Sequence, residues 1–200
     1  MEVSELAKLP PVAWILIGAA VVVGFALALA WRWYSRYRVR KALRSAVTGG
    51  AAAHLVDCMV PDGMGGGYHV DYLLLTLQGV VVIDLRDVRG NIFGGDQMQE
   101  WTVMDGANRF TFTNPQSSLY DRIAAVKAVA GDVPVEGRIV FTRRGKFPKG
   151  LPKWTLMIDA LRAEFPGTEP DVAREGVTRY GEGWERIKAA VKPSFMADMR

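Results

Sequence analysis

Asp71, Asp84 and Arg86 are residues of the right types, at the right spacing, for two carboxylates and a guanidinium to act together. Asp71 lies in the apolar run HVDYLLLTL (69–77), and Asp84 and Arg86 close the run GVVVIDLR (79–86). Side chains alternate along a strand, so Asp84 and Arg86 point to the same side. The two runs meet around Gln78-Gly79, which predicts a β-hairpin. A two-residue turn at Leu77-Gln78 sets Asp71 opposite Asp84, and one at Gln78-Gly79 sets it opposite Arg86. Either turn brings all three side chains to one face, whereas a three-residue loop separates Asp71 from the other two. Glycine at the second turn position favours Gln78-Gly79, because a type I′ turn needs positive φ there.

Two carboxylates in such cross-strand positions have Cβ atoms about 4.5–7 Å apart and repel each other. A positive centre must offset them. A hard divalent ion, Mg²⁺ or Mn²⁺, held by the oxygens of Asp71 and Asp84 makes a catalytic site. The planar fork of Arg86, gripping the same oxygens, makes a structural ion-pair cluster that needs no metal. The residues alone leave both readings open.

The surrounding pattern positions this trio. AHLVDCMV (53–60) predicts a strand before the hairpin, with the loop PDGMGGG (61–67) between them. Short β-like pieces (NIFGG, WTVM, RFTFT) follow, with turns at Gly94-Gly95 and Asp105-Gly106. Asn114-Pro115 opens a helix over 117–129, in which Leu119, Ile123 and Val126 keep helical spacing. GRIVFT (137–142) predicts a further strand, 153–165 a helix, and 171–191 a second helix striped by Trp184, Ile187 and Val191. The order predicts α/β or α+β architecture, with one mixed sheet flanked by helices.

Charge separates the N-terminal part from the rest. The 200 residues carry a net +4, but residues 32–44 alone carry +6 and residues 45–200 carry −1. A basic excess confined to one short segment suits a membrane surface better than a domain-wide nucleic-acid face. Val12 to Trp31 is twenty residues without a charge, long enough as a helix to cross a hydrocarbon core of roughly 30 Å. Trp31 and the bases Arg32, Arg36, Arg38, Arg40 and Lys41 predict an interface where long side chains reach anionic lipid headgroups. Bases after the span predict an N-terminus outside and the remainder cytoplasmic, at the plasma or inner membrane. Ala28-Leu29-Ala30 resembles a signal-peptide cleavage site, but the bases lie on the wrong side of the apolar run for that reading. The expected segments are a short extracytoplasmic N-terminus (1–11), a transmembrane helix (12–31), a basic juxtamembrane helix (32–48), a folded domain (49–165) and a C-terminal helical extension (166–200). The single cysteine, Cys58, excludes an internal disulfide, and His54 and His69 form no local ligand pair.

The stretch HVDYLLLTLQGVVVIDLRDVRGNIFGG, then Trp101, then FTFTNPQSSLYDRIAAVKAV, then GRIVFT, resembles the NERD (nuclease-related) domain. The resemblance covers roughly residues 50–142. It implies a core like that of restriction endonucleases and the PD-(D/E)xK nucleases, with Asp71 and Asp84 as ligands of Mg²⁺ or Mn²⁺ and Arg86 at the position of a lysine that serves the attacking water. The implied activity is metal-dependent phosphodiester cleavage of DNA or RNA. Several positions depart from the family pattern. Asp84 stands where glutamate is usual. Arg86 stands for lysine, and arginine stays protonated and cannot act as a base. No acid occurs in residues 34–50, where the family often has one on a helix before the first strand. The alternative expectation is therefore a catalytically degenerate, membrane-tethered binding or interaction module. The basic loop RRGKFPKGLPK offers Arg143, Arg144, Lys146 and Lys149 as contacts to a nucleic-acid backbone, or as an ordinary solvated turn.

Overall fold

A computed structural model describes residues 11–166 and 170–194. The expected extracytoplasmic segment therefore lies almost wholly outside the described residues, as does the end of the C-terminal extension. The chain divides into two compact units, one ending at Ser45 and the other beginning at Ala46.

The first unit holds most of helix α1 (Pro11–Thr48), which runs on from the apolar stretch through the basic one, as the sequence predicts. Residues Gly18–Thr48 are long and apolar enough to cross a membrane by length and composition. Trp31, Trp33 and Tyr34 are exposed, and Trp33 stacks on Tyr37.

The second unit is a mixed α/β domain. Strands β1 (Ala53–Pro61), β2 (Gly67–Thr76), β3 (Gly79–Arg86), β4 (Gly90–Phe93), β5 (Glu100–Asp105) and β6 (Asn108–Thr113) precede helix α2 (Pro115–Ala130). Then come β7 (Val135–Phe141), β8 (Gly145–Lys146), β9 (Thr155–Met157), α3 (Ile158–Glu164), α4 (Pro170–Ala190) and β10 (Lys192–Pro193). The strands form two mixed sheets where the pattern predicted one: a six-stranded sheet in the order β10-β1-β2-β3-β7-β9 and a four-stranded sheet in the order β6-β5-β4-β8. A second difference concerns residues 153–165, expected to be helical throughout. Thr155–Met157 instead pairs in parallel with Ile139–Phe141, and the helix starts only at Ile158. The run Trp-Thr-Leu-Met has no helical cap and suits an edge strand, so tertiary pairing overrides a helical spacing this short.

Helices α2 and α4 pack against each other and on the six-stranded sheet. Leu119, Val126 and Ala130 of α2 and Trp184 and Ile187 of α4 share one core with Leu73, Leu75, Val80, Val82 and Ile139. Trp101 of β5 is fully buried and packs its ring against Phe141 of β7 and against Phe112 and Phe147, which ties the small sheet to the large one. The start of α2 is fixed locally: Asn114 Oδ1 accepts from the Gln116 backbone N–H at 2.9 Å, and Pro115 occupies the first turn.

The hairpin register settles how the acids meet. Thr76 pairs with Gly79, so the turn residues are Leu77-Gln78 and not Gln78-Gly79. Thr76 Oγ1 explains the choice. It accepts from the Gln78 N–H and donates to the Gly79 carbonyl, closing the turn with its own side chain. Gly79 is required for another reason. Its φ is +128°, and a Cβ there would lie 2.3 Å from the Pro134 carbonyl oxygen. Gly79→Ala is therefore expected to lower stability by about 2 kcal/mol or more. Chemical denaturation checks this, and a loss below about 0.5 kcal/mol would contradict the register argument.

Candidate metal and phosphate site

The ladder between β2 and β3 ends at the pair Tyr72 and Ile83. The next residues outward on the two strands are Asp71 and Asp84. Beyond the ladder, the Leu85 N–H donates to Asp71 Oδ2 at 2.8 Å, so a side chain takes over from the backbone. Both acids are buried, at 7% and 3% exposure. The two carboxylates then turn to different partners.

Asp84 is held by two guanidinium groups. Arg86 Nη2 donates to Asp84 Oδ2 at 2.8 Å, and its Nε lies 2.8 Å from Oδ1 but is buried without an aligned acceptor. Arg122 of α2 donates from Nη1 to the same Oδ2 at 2.9 Å and from Nε to the His69 carbonyl at 2.6 Å. The sequence reading missed Arg122. Its signal was its place, three positions after Leu119 and four before Val126, where a base falls on the apolar side of a helix.

Asp71 belongs to a second group. His69 Nε2 lies 3.2 Å from Asp71 Oδ1 and 3.8 Å from Asp57 Oδ1. One ligand atom from each of Asp57, His69 and Asp71 lies within 4.8 Å of the others. Asp57 stands on β1 between residues paired to Tyr72 and Val70, so it faces Asp71 across the sheet. Its φ is +49°, a left-handed conformation that aspartate tolerates better than most residues. His69 Nδ1 lies 2.9 Å from Ser194 Oγ, just past β10, and the Ser194 N–H donates to the Asp57 carbonyl at 2.9 Å. The sequence concealed this group, because Asp57 lies on β1 and His69 and Asp71 on β2, and only the fold brings them together.

The donor set fits a divalent cation. Two carboxylates repel unless a positive centre lies between them, and a carboxylate–imidazole set suits Mn²⁺ better than the all-oxygen preference of Mg²⁺. The expected pair of Asp71 and Asp84 is thus divided: Asp71 faces a metal-capable group, and Asp84 faces two arginines. Asp57 supplies an acid ahead of the hairpin, which the family pattern places on a helix and residues 34–50 lack. Cys58 is not part of this chemistry. Burial pushes its thiol up to about 11, with Asp57 and Asp71 adding to the shift, so it stays protonated near neutrality.

The basic loop is partly committed elsewhere. Arg143 forks onto Asp159, and Arg144 pairs with Asp87 at 2.7 Å. Hydrogen bonding to Arg143 holds the Asp159 carboxyl below the usual carboxylate range. Lys146 and Lys149 are exposed, with Lys149 over the Phe93 ring.

The family model for the nuclease-related domain, NERD, matches residues 32–142. The chain belongs to the NERD family. The match begins within α1 and ends just after β7, so it includes Asp57, His69, Asp71, Asp84, Arg86 and Arg122. Ser194 and the α4–β10 segment lie outside the NERD match. No curated protein and no solved structure matched the chain.

The two arginines are expected to differ. Arg122 is more buried than Arg86 and also satisfies a backbone carbonyl. Removing one partner of a buried ion pair leaves an uncompensated charge. Arg122→Ala should cost about 3 kcal/mol and Arg86→Ala about 1–2 kcal/mol in denaturant unfolding. The reverse order would contradict the assignment of Arg122 as the principal counter-charge of Asp84.

Proposed function

We propose that this NERD protein is a membrane-anchored, cytoplasmic, metal-dependent phosphodiesterase acting on nucleic acid. The observation that carries the reading is the Asp57–His69–Asp71 group beside the Asp84–Arg86–Arg122 group. The first carries two formal negative charges and suits a cation. The second carries a net +1 and suits a phosphate. Adjacent, the two suit a phosphodiester drawn to a divalent ion.

Asp57, His69 and Asp71 would hold Mn²⁺ or Mg²⁺. When bound, such an ion lowers the pKa of a coordinated water and polarises a phosphoryl oxygen. The chain's own residues do the rest. Asp84 orients both guanidiniums and keeps them from folding onto the metal-binding acids. Arg86, about one-third exposed, keeps donors available to a phosphate oxygen, and arginine suits that role because its charge is permanent. Arg86 positions and neutralises but accepts no proton. The helix over residues 12–31 anchors the domain, and the bases Arg32, Arg36, Arg38, Arg40 and Lys41 meet anionic headgroups. Lys146 and Lys149 are exposed cations of the 143–153 loop that could follow a strand backbone.

A second reading has its own support. Asp84 is occupied by two arginines, so the acid that the family pattern assigns to the metal is neutralised. That arrangement favours an anchored binding module without catalysis. Asp71→Asn in the full-length protein separates the two. The phosphodiesterase reading predicts Mn²⁺-dependent cleavage of single- or double-stranded DNA or RNA by the unaltered chain, and a loss of 100-fold or more in the variant. Nucleic-acid binding without cleavage under any metal would leave the binding module.

A further inference from the structure

The α4–β10 segment, which lies outside the residues matched by the family, enters the site through one residue. Ser194 is 5% exposed and touches two of the three members of the metal-capable group. Its backbone N–H holds the Asp57 carbonyl, and its hydroxyl lies 2.9 Å from His69 Nδ1. The register of β10 on β1 sets this position: Cys58 pairs with Pro193 and Met59 with Lys192, so Ser194 arrives beside Asp57. Proline at 193 has no N–H, and Ser194 supplies the next one along the strand. A histidine that ligates a metal through one ring nitrogen usually has the other held by an outer partner, which fixes the tautomer and the ring plane.

We propose that Ser194 is a positioning residue for the metal ligand His69, so that the segment C-terminal to the family domain completes the ion site. With an ion bound, the hydroxyl would accept from His69 Nδ1–H and leave the Nε2 lone pair for the ion shared with Asp57 and Asp71; without one, Nε2–H donates to Asp71 Oδ1. The backbone bond from Ser194 to Asp57 holds the second ligand in its left-handed conformation. The same atoms have the spacing of a serine–histidine–acid hydrolase, but a serine buried to this extent offers no approach for a carbonyl substrate, which favours positioning over attack. The inference rests on the Asp57–His69–Asp71 group being the ion site.

The test uses the full-length chain in detergent and Mn²⁺ alone as the probe. Binding is measured by EPR titration, and pulsed EPR reports the ¹⁴N modulation of a coordinated imidazole. The unaltered protein should bind Mn²⁺ with that modulation. Ser194→Ala should weaken binding 10- to 100-fold and reduce the modulation, and Ser194→Thr, which keeps the hydroxyl, should restore both. Unchanged affinity and modulation in Ser194→Ala would overturn the inference and leave the ion site standing. Failure of Ser194→Thr to restore binding, with both variants melting cooperatively, would also overturn it. Binding without ¹⁴N modulation in the unaltered protein would remove His69 as a ligand, and this inference with it, leaving a carboxylate site. Absence of Mn²⁺ binding in the unaltered protein would overturn both this inference and the phosphodiesterase reading.

Discussion

The hydrogen bond from the Leu85 N–H to Asp71 Oδ2 is the constraint on which the site depends. Up to Tyr72 and Ile83 the two central strands are joined by backbone pairing. One residue further, a carboxylate replaces a carbonyl as acceptor, and the strands are free to present their side chains to different neighbours. Asp71 is fixed by that bond with one oxygen left for His69. Asp84, the next position on the other strand, is fixed by Arg86 and Arg122. Two acids that would repel in a regular pair are thus kept buried in adjoining groups, each with its own compensation.

The elements around this point hold it in place. Thr76 and Gly79 set the hairpin turn, and the turn sets which acid faces which. The Asn114 cap starts α2 at a fixed residue, and two turns later Arg122 reaches back over the sheet to Asp84 and the His69 carbonyl. Trp101 fastens the small sheet to Phe141, close to where β3 and β7 end. At the opposite edge, β10 brings Ser194 to Asp57 and His69. The site is therefore distributed over three strands, a helix and the C-terminal segment, and no one of these elements contains it.

Much of this was legible in the sequence, for identifiable reasons. Strands β2 and β3 were visible because both are continuous apolar runs, and α2 because Asn-Pro precedes a regular helical spacing. The family membership was legible because its signals lie in order along one stretch. Asp71, Asp84 and Arg86 stand out in the sequence because they interrupt apolar strands with charge. The turn was misplaced because a glycine beside a hairpin suggests a turn residue, whereas Gly79 is there for a close approach of the Pro134 carbonyl. Asp57, Arg122 and Ser194 do not stand out because the contacts that bring them here are tertiary. Asp57 resembles an ordinary polar strand residue, Arg122 a solvated helical base, and Ser194 a residue of a C-terminal tail. His69 looks isolated in the sequence because two of its neighbours in space, Asp57 and Ser194, are 12 and 125 positions away.

In the proposed arrangement Asp57, His69 and Asp71 form the cation site, and Asp84 is reserved for arginine. The most direct measurement is anomalous diffraction from crystals of the Mn²⁺-loaded protein. A manganese peak is expected within bonding distance of Asp57, His69 Nε2 and Asp71, with Arg86 and Arg122 still on Asp84. A peak ligated by Asp84 with those arginines displaced, or no peak at either position, would contradict it.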